Sequence, residues 1–143
     1  MQWQPGEALY DHALFCARLA MRSSNLKAIL FHQGESDCTP DGIAAYGERL
    51  LRVVEGLRRD LDMPRLPFIA GELSECISER WYNCTLHSPA FNANLHTLAS
   101  GIDNFAIASA EGLTMKPDGI HFDTPSLRIF GERYLEKYED LLK

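Results

Sequence analysis

Asp118 and His121 stand three residues apart in the stretch "KPDGIHFDTPS", positions 116–126. A neutral imidazole must offer one bare nitrogen to the group it deprotonates. A carboxylate on its other nitrogen fixes the tautomer and steadies the imidazolium that forms. The pair is a candidate base with its orienting acid, and Asp123 is a second candidate partner for the histidine. The DxxH spacing alone is a weak signal, since such pairs are more often structural than catalytic. Its position strengthens it, because it follows an expected buried strand and precedes a capped helix.

A second block, "HQGESD" at 32–37, brings donors. The Gln33 amide and the Gly34 N–H could both donate to an oxygen that gains negative charge in a reaction. A glycine there also lets backbone approach a ligand closely. Glu35 and Asp37 are acidic neighbours. On spacing alone, a polar strand-to-helix loop with Asp37 or Thr39 as its cap is the better reading of this block. The remaining histidines carry less weight. His12 and His96 fall on expected helices, His87 sits beside a cap, and His32 ends a strand where it could line a cleft. A metal site could be drawn from His32, Glu35, Asp37 and His121, but nothing enforces its geometry, so no metal and no other cofactor is expected.

Short apolar strands and amphipathic helices must position these groups. Thr39-Pro40, Ser88-Pro89 and Thr124-Pro125 each read as a capping hydroxyl before a proline in the first helical turn. Apolar residues then recur at helical spacing: Ile43, Tyr46, Leu50, Val54, Leu57 and Leu61 after the first cap. Phe91, Leu95 and Leu98 follow the second, with Gly101 as a stop. Leu127, Phe130, Tyr134, Tyr138 and Leu141 follow the third. A further helix near the start shows Leu9, Ala13, Cys16 and Ala20. Between them lie "KAILFH" (27–32), "LPFIAGE" (66–72) and "NFAIASA" (104–110), which read as buried parallel strands. The order α-β-α-β-α-β-α predicts a layered α/β fold in one domain over 1–143. Ligands of such sheets bind beyond the carboxyl ends of the strands, where "HQGESD", "GELSE" and the "DGIH" loop are found. The stretch "SECISERWYNCTLHS" reads as a long irregular connection of the kind that is often functional.

Charge and composition exclude several roles. The net charge of -6 comes with no cluster of Lys and Arg, which argues against a nucleic-acid partner. The most basic stretch, "GLRRDLDMPR", reads as a solvated helix end. No run approaches the roughly 18 apolar residues of a membrane span. The opening "MQWQPGEALYDHA" has no basic-then-apolar leader pattern. Cys16, Cys38, Cys76 and Cys84 form no CxxC, so free thiols in a reducing compartment are expected rather than zinc, which favours a cytoplasmic chain. Asn83 in "NCT" matches a glycosylation acceptor, a triplet that arises often by chance.

The two blocks together resemble the carbohydrate-esterase branch of the SGNH hydrolases, the group of sialate O-acetylesterase and certain acetylxylan esterases. There the first block reads like W-x-Q-G-E-x-D, with Phe31 here in the tryptophan place. The second reads like D-G-x-H-F, followed by a helix with a G-x-R-Y signature, matched by Gly131, Arg133 and Tyr134. The segment before the first block also looks like its family counterpart, so the likeness runs along essentially the whole chain. It implies a flavodoxin-like three-layer α/β/α sandwich with a parallel sheet, and hydrolysis of acetyl esters on sugars without a metal. It implies His121 as base and Asp118 as its carboxylate. Gln33 and Gly34 fall on the oxyanion side, and Glu35 supports the site. The acetylated carbohydrate is the implied partner.

The family's nucleophile sits in a G-Q-S-N type motif after the first strand, and no such motif occurs in this chain. Ser36 is close to the site but belongs to another block. The chain is therefore expected to match the C-terminal portion of the family domain, without its first strands. In the order 2-1-3-4-5 the strand at 27–32 then lies at an edge. An apolar edge of this kind is expected to be covered, by self-association or by an N-terminal complement. Two functional readings follow: an O-acetylesterase whose serine lies outside the chain, or a catalytically inactive truncated or split domain that binds a glycan or a partner protein.

Overall fold

A computed structural model describes residues 3–75 and 84–143. The elements follow in the expected alternation: α1 (Ala8–Ala20), β1 (Ile29–Phe31), α2 (Pro40–Asp60), β2 (Phe68–Gly71), α3 (Cys84–Ala99), β3 (Phe105–Ala108) and α4 (Thr124–Asp140). One 3-10 turn, Glu35–Asp37, joins β1 to α2. The strands form a parallel sheet in the order β1-β2-β3, with Ile29 opposite Phe68 and Phe68 opposite Phe105. Each strand is shorter than its apolar run, because pairing stops where the chain turns into polar loops.

Side-chain alternation splits the core into two layers, as a sheet covered on both faces requires. On one face Phe31, Phe68 and Phe105 form a row of touching rings, 5.6 Å and 5.5 Å between centroids. They pack with Tyr46, Leu50 and Val54 of α2 and with Phe91 and Leu95 of α3. On the other face Ile69 and Ala108 meet Phe130 and Tyr134 of α4. Gly71 sets the approach of α4. A Cβ there would lie 2.2 Å from the Tyr134 hydroxyl and 2.6 Å from the Phe130 ring, so any larger residue would push the helix off the sheet.

Helix starts agree with the sequence in one case and differ in two. Thr39 caps α2, its hydroxyl accepting from the Gly42 N–H at 3.1 Å. Thr124 is already helical, and Asp123 caps α4 by accepting from the Ser126 N–H at 2.9 Å. A carboxylate one residue earlier was available and took the position. α3 begins at Cys84, four residues before Ser88, so Pro89 lies inside the helix. Asn83 and most of the long connection fall outside the described residues.

The basic stretch also differs from expectation. Arg58 is buried, and its guanidinium donates to the carbonyls of Leu66, Asp103 and Asn104 at 2.8–3.0 Å. It ties the end of α2 to the segments entering β2 and β3. Burial lowers its pKa below the usual guanidinium value. Arg59 beside it is exposed and pairs with Asp60, as a solvated face would.

Candidate active site

The loop that carries Asp118 and His121 is shaped by its own sequence. Pro117 and Asp118 occupy the centre of a turn closed by the Gly119 N–H on the Lys116 carbonyl at 2.9 Å. Gly119 takes a positive φ of 73° there, which glycine adopts at little cost. The Asp118 carboxylate then accepts the backbone N–H groups of Ile120 and His121, both at 3.0 Å, on Oδ1. Its Oδ2 meets His121 Nδ1 at 2.9 Å. A carboxylate only accepts, so Nδ1 carries the proton and Nε2 is the bare nitrogen. The His121 and Ile120 backbone N–H groups, followed by the imidazole, hold the Asp118 carboxyl well below the usual carboxylate range. Among the described residues, Nε2 of His121 has no hydrogen-bond partner, and the side chain is 71% exposed.

This loop is fastened at its base. Lys116 N–H donates to the His121 carbonyl at 2.8 Å, and Met115 bridges Phe122 in an antiparallel pair. Thr114 donates its hydroxyl to Asp123 and its N–H to the Ser126 hydroxyl. Asp123 is therefore committed to capping α4 and to Thr114. The partner of the imidazole is Asp118. Phe122 is buried and anchors the loop against Phe130 and His32, with ring centroids 5.3 Å and 5.7 Å away.

That contact is where the two sequence blocks meet. His32 continues β1, its ring between Phe122 and Phe130, with Nε2 3.1 Å from the Glu72 carbonyl. Gln33 follows, and its amide Nε2 donates to Asp37 at 3.0 Å. Arg49 holds the other oxygen of Asp37 at 3.2 Å, while the Tyr46 hydroxyl donates to the Gln33 carbonyl at 2.7 Å. Gln33 is thus fixed through its side-chain amide by Asp37 and through its backbone by Tyr46, while among the described residues its buried Oε1 has no hydrogen-bond partner. Gly34 N–H is taken by the Glu35 carboxylate at 3.1 Å. The group crowding Gly34 is the Phe91 ring: a Cβ would lie 2.3 Å from its Cζ. The glycine is explained by packing under the loop and by its own backbone, at a φ of 155° that side chains rarely adopt, where the sequence suggested room for a ligand. His32, Glu35, Asp37 and His121 do not form a metal cluster, and no group of three or more such ligands occurs among the described residues.

Three side chains that spacing did not single out organise the same end of the sheet. Glu72, directly after β2, accepts from the Ala110 N–H at 2.9 Å and contacts His96 Nε2 at 2.6 Å. Burial pushes its carboxyl up, but the His96 and Ala110 hydrogen bonds reverse that and leave it below the usual value. Asn92 of α3 both accepts from and donates to the backbone of Leu73. Arg133 of α4 donates to the carbonyls of Ser109 and Glu111. Arg133 carried a signal as part of the G-x-R-Y signature, and Glu72 only as a member of the polar "GELSE" run after its strand, with no role assigned. Glu72 and Asn92 act on backbone groups distant in sequence, which no local pattern encodes. Beside them a cleft of about 360 Å³ opens between Leu73, Asn92 and Leu113.

The arrangement can accept a proton at His121 Nε2 and hold the resulting cation beside Asp118. Among the described residues, no serine hydroxyl hydrogen-bonds to that nitrogen.

Comparison with known proteins adds to this geometry. The family described as carbohydrate esterase, sialic acid-specific acetylesterase, matches residues 1–140. An Arabidopsis thaliana protein described as a probable carbohydrate esterase is 28% identical over 125 residues, 86% of this chain and 44% of its own length. The X-ray structure of an Arabidopsis thaliana protein superposes with a TM-score of 0.79 at 25% identity, over 97% of this chain and 54% of the other. The crystal structure of NanS superposes with a TM-score of 0.74 at 17% identity, over 98% of this chain and 55% of the other, and shows the shared fold. The chain spans about half the length of the relatives it matches.

Proposed function

The chain belongs to the carbohydrate esterase family of sialic acid-specific acetylesterases, and from that premise we propose that it is the histidine-bearing part of a serine-type O-acetylesterase acting on sugars. The observation that carries this reading is the His121 Nδ1 to Asp118 Oδ2 contact at 2.9 Å, with Nε2 bare on an exposed loop beyond the sheet. The serine comes from polypeptide outside residues 1–143.

In this reading the serine hydroxyl gives its proton to His121 Nε2 as its oxygen bonds to the acetyl carbonyl carbon. Asp118 stays ionised and steadies the imidazolium. The carbonyl oxygen becomes an anion and needs donors. Gln33 has a second amide N–H beyond the one given to Asp37, and Arg49 and Asp37 keep that amide oriented. Gly34 N–H becomes a second donor when Glu35 turns away from it. The intermediate collapses, and the sugar oxygen leaves with the proton from His121. Water then attacks the acetyl-serine as His121 takes its proton, and His121 returns that proton to the serine oxygen as acetic acid departs, restoring the free serine and the neutral imidazole.

A binding-only domain is the second reading, and the unpartnered Nε2 favours it for this chain in isolation. The test measures hydrolysis of p-nitrophenyl acetate and of an O-acetylated sugar. It uses the chain alone and the chain fused to the part of the Arabidopsis relative that it leaves uncovered. We expect background rates from the chain alone, and hydrolysis by the fusion that His121→Ala lowers by about a thousandfold or more. Strong hydrolysis by the chain alone, abolished by His121→Ala, would put the nucleophile within these residues. A folded fusion that stays silent would select the binding-only reading.

A further inference from the structure

The polar cleft at the carboxyl ends of β2 and β3 has a volume of about 360 Å³. Small-ligand sites occupy roughly 300–1,000 Å³. Its lining comes from the residues that follow each strand and from Asn92 of α3. Leu73, Ala110 and Leu113 supply apolar surface, and three carboxylates, those of Glu72, Glu75 and Glu111, stand among them. The cleft shares a segment of chain with the His121 loop. Leu113 lines it, and the next residue, Thr114, fastens the base of that loop through Asp123.

The inner polar groups of the cleft are committed to the protein itself. The Glu72 carboxylate is held by His96 and by the Ala110 N–H. Asn92 is engaged by both backbone groups of Leu73. The Ser109 hydroxyl accepts the Glu111 N–H at 3.2 Å. The rim differs. Glu75 and Glu111 are exposed, and among the described residues neither carboxylate has a hydrogen bond or an ion pair. Arg133 reaches Glu111 only at its backbone carbonyl. No Lys, Arg or His is among the described residues that line the cleft.

These groups restrict what can bind. An ionised carboxylate only accepts, so the ligand must bring hydrogen-bond donors. Two unpaired anions at the rim select against a ligand that is itself an anion. A metal ion does not fit, since no group of three or more ligating side chains occurs among the described residues. A sugar ring without a charged substituent meets the remaining demands: its C–H face suits the apolar floor, and its hydroxyls can donate to the rim.

We propose that this cleft holds an uncharged sugar unit of the acetylated glycan, next to the unit that carries the ester, with its hydroxyls donating to Glu75 and Glu111. The proposal deepens the esterase reading and rests on it for the ligand's being part of an acetylated glycan. The family's description names sialic acid, which carries a carboxylate. In this cleft that group would face two carboxylates and no cation among the described lining residues, so the unit held here is a neutral one.

The test titrates the chain alone with sugars and follows the backbone amide signals of Glu111, Gly112 and Leu113 by NMR. Xylobiose and lactose are the neutral probes, and N-acetylneuraminic acid is the anionic one. We expect a neutral probe to shift these amides saturably, and the acid to leave them in place at the same concentration. Glu111→Ala should weaken binding of the neutral probe by about tenfold. Its thermal stability should not change, because the carboxylate has no partner to lose. Glu75→Gln combined with Glu111→Gln keeps two oxygen acceptors and removes both charges, so it should retain the neutral probe and admit the acid. Silence of both neutral probes overturns the proposal. So does binding of the acid to the unaltered chain as tightly as a neutral probe, and so does neutral binding that Glu111→Ala leaves unchanged. Sugar binding here without ester hydrolysis by the fusion keeps the cleft's role and removes the esterase reading. Hydrolysis by the fusion without sugar binding here removes the cleft's role alone.

Discussion

Asp118 holds His121 twice: Oδ1 accepts the histidine's backbone N–H at 3.0 Å, and Oδ2 contacts its imidazole Nδ1 at 2.9 Å. One side chain therefore sets both where the histidine sits and which nitrogen is bare. The two tasks are chemically separable, because an amide can perform the first but not the second.

Asp118→Asn should expose that separation. The amide oxygen can still accept from Ile120 and His121, so the loop keeps its form. The amide nitrogen cannot accept the Nδ1 proton, and the imidazole should change to the Nε2–H tautomer. Nitrogen NMR of the ring in the chain alone checks this, and an unchanged tautomer would refute the orienting role. In the fusion that tests the proposed esterase activity, the same change should lower kcat by about 10³–10⁴ with little effect on KM. Asp118→Ala should also loosen the loop, seen as faster exchange at Ile120 and His121.

Glu72 carries a pH prediction. Its folded pKa is depressed, so the stability it contributes is fully present above the unfolded value of about 4.3 and is lost as pH falls through the lower folded value. The stability difference between the wild-type chain and Glu72→Gln should therefore be largest near neutrality and shrink on acidification below about pH 4. Denaturant unfolding at a series of pH values measures it. A difference that is flat or grows in acid would contradict the assignment of the His96 and Ala110 contacts as its cause.

Gly34→Ala tests why a glycine follows the strand. Its Cβ would overlap the Phe91 ring and would sit on a backbone at a φ of 155° that side chains rarely adopt, so the variant should lose about 1–3 kcal/mol of stability or more, of which only the ring's share can be relieved from Phe91. Phe91→Leu on the same background should recover part of the loss, although it is destabilising alone. Independent, additive losses would show that the glycine is needed for another reason.

Much of this molecule was legible from local chemistry. The strands announced themselves as apolar runs between capped helices, because burial on both faces selects such residues. Thr39 was readable as a cap because its contact to Gly42 lies within one turn. The Asp118–His121 pair was readable for the same reason, since three residues and a glycine turn suffice to join them. Cap choice failed where two candidates competed. Asp123 displaced Thr124 because Thr114, nine residues back in the preceding loop, donates to the same carboxylate that accepts the Ser126 N–H. Arg58 looked like a surface charge because the three carbonyls that bury it come from residues 8–46 positions away.

The sequence by itself determined the alternation of elements, the turn that joins the histidine to its carboxylate, and the absence of a G-Q-S-N type motif. The tertiary structure decided what those features face. It brought His32 against Phe122 and so placed the two blocks at one end of the sheet. It gave the donors of Gln33 and Gly34 to Asp37 and Glu35, and it left β1 at the edge of the sheet. Local patterns record contacts within a turn of chain. These contacts join segments tens of residues apart, and they exist only once the sheet and both helical layers have packed.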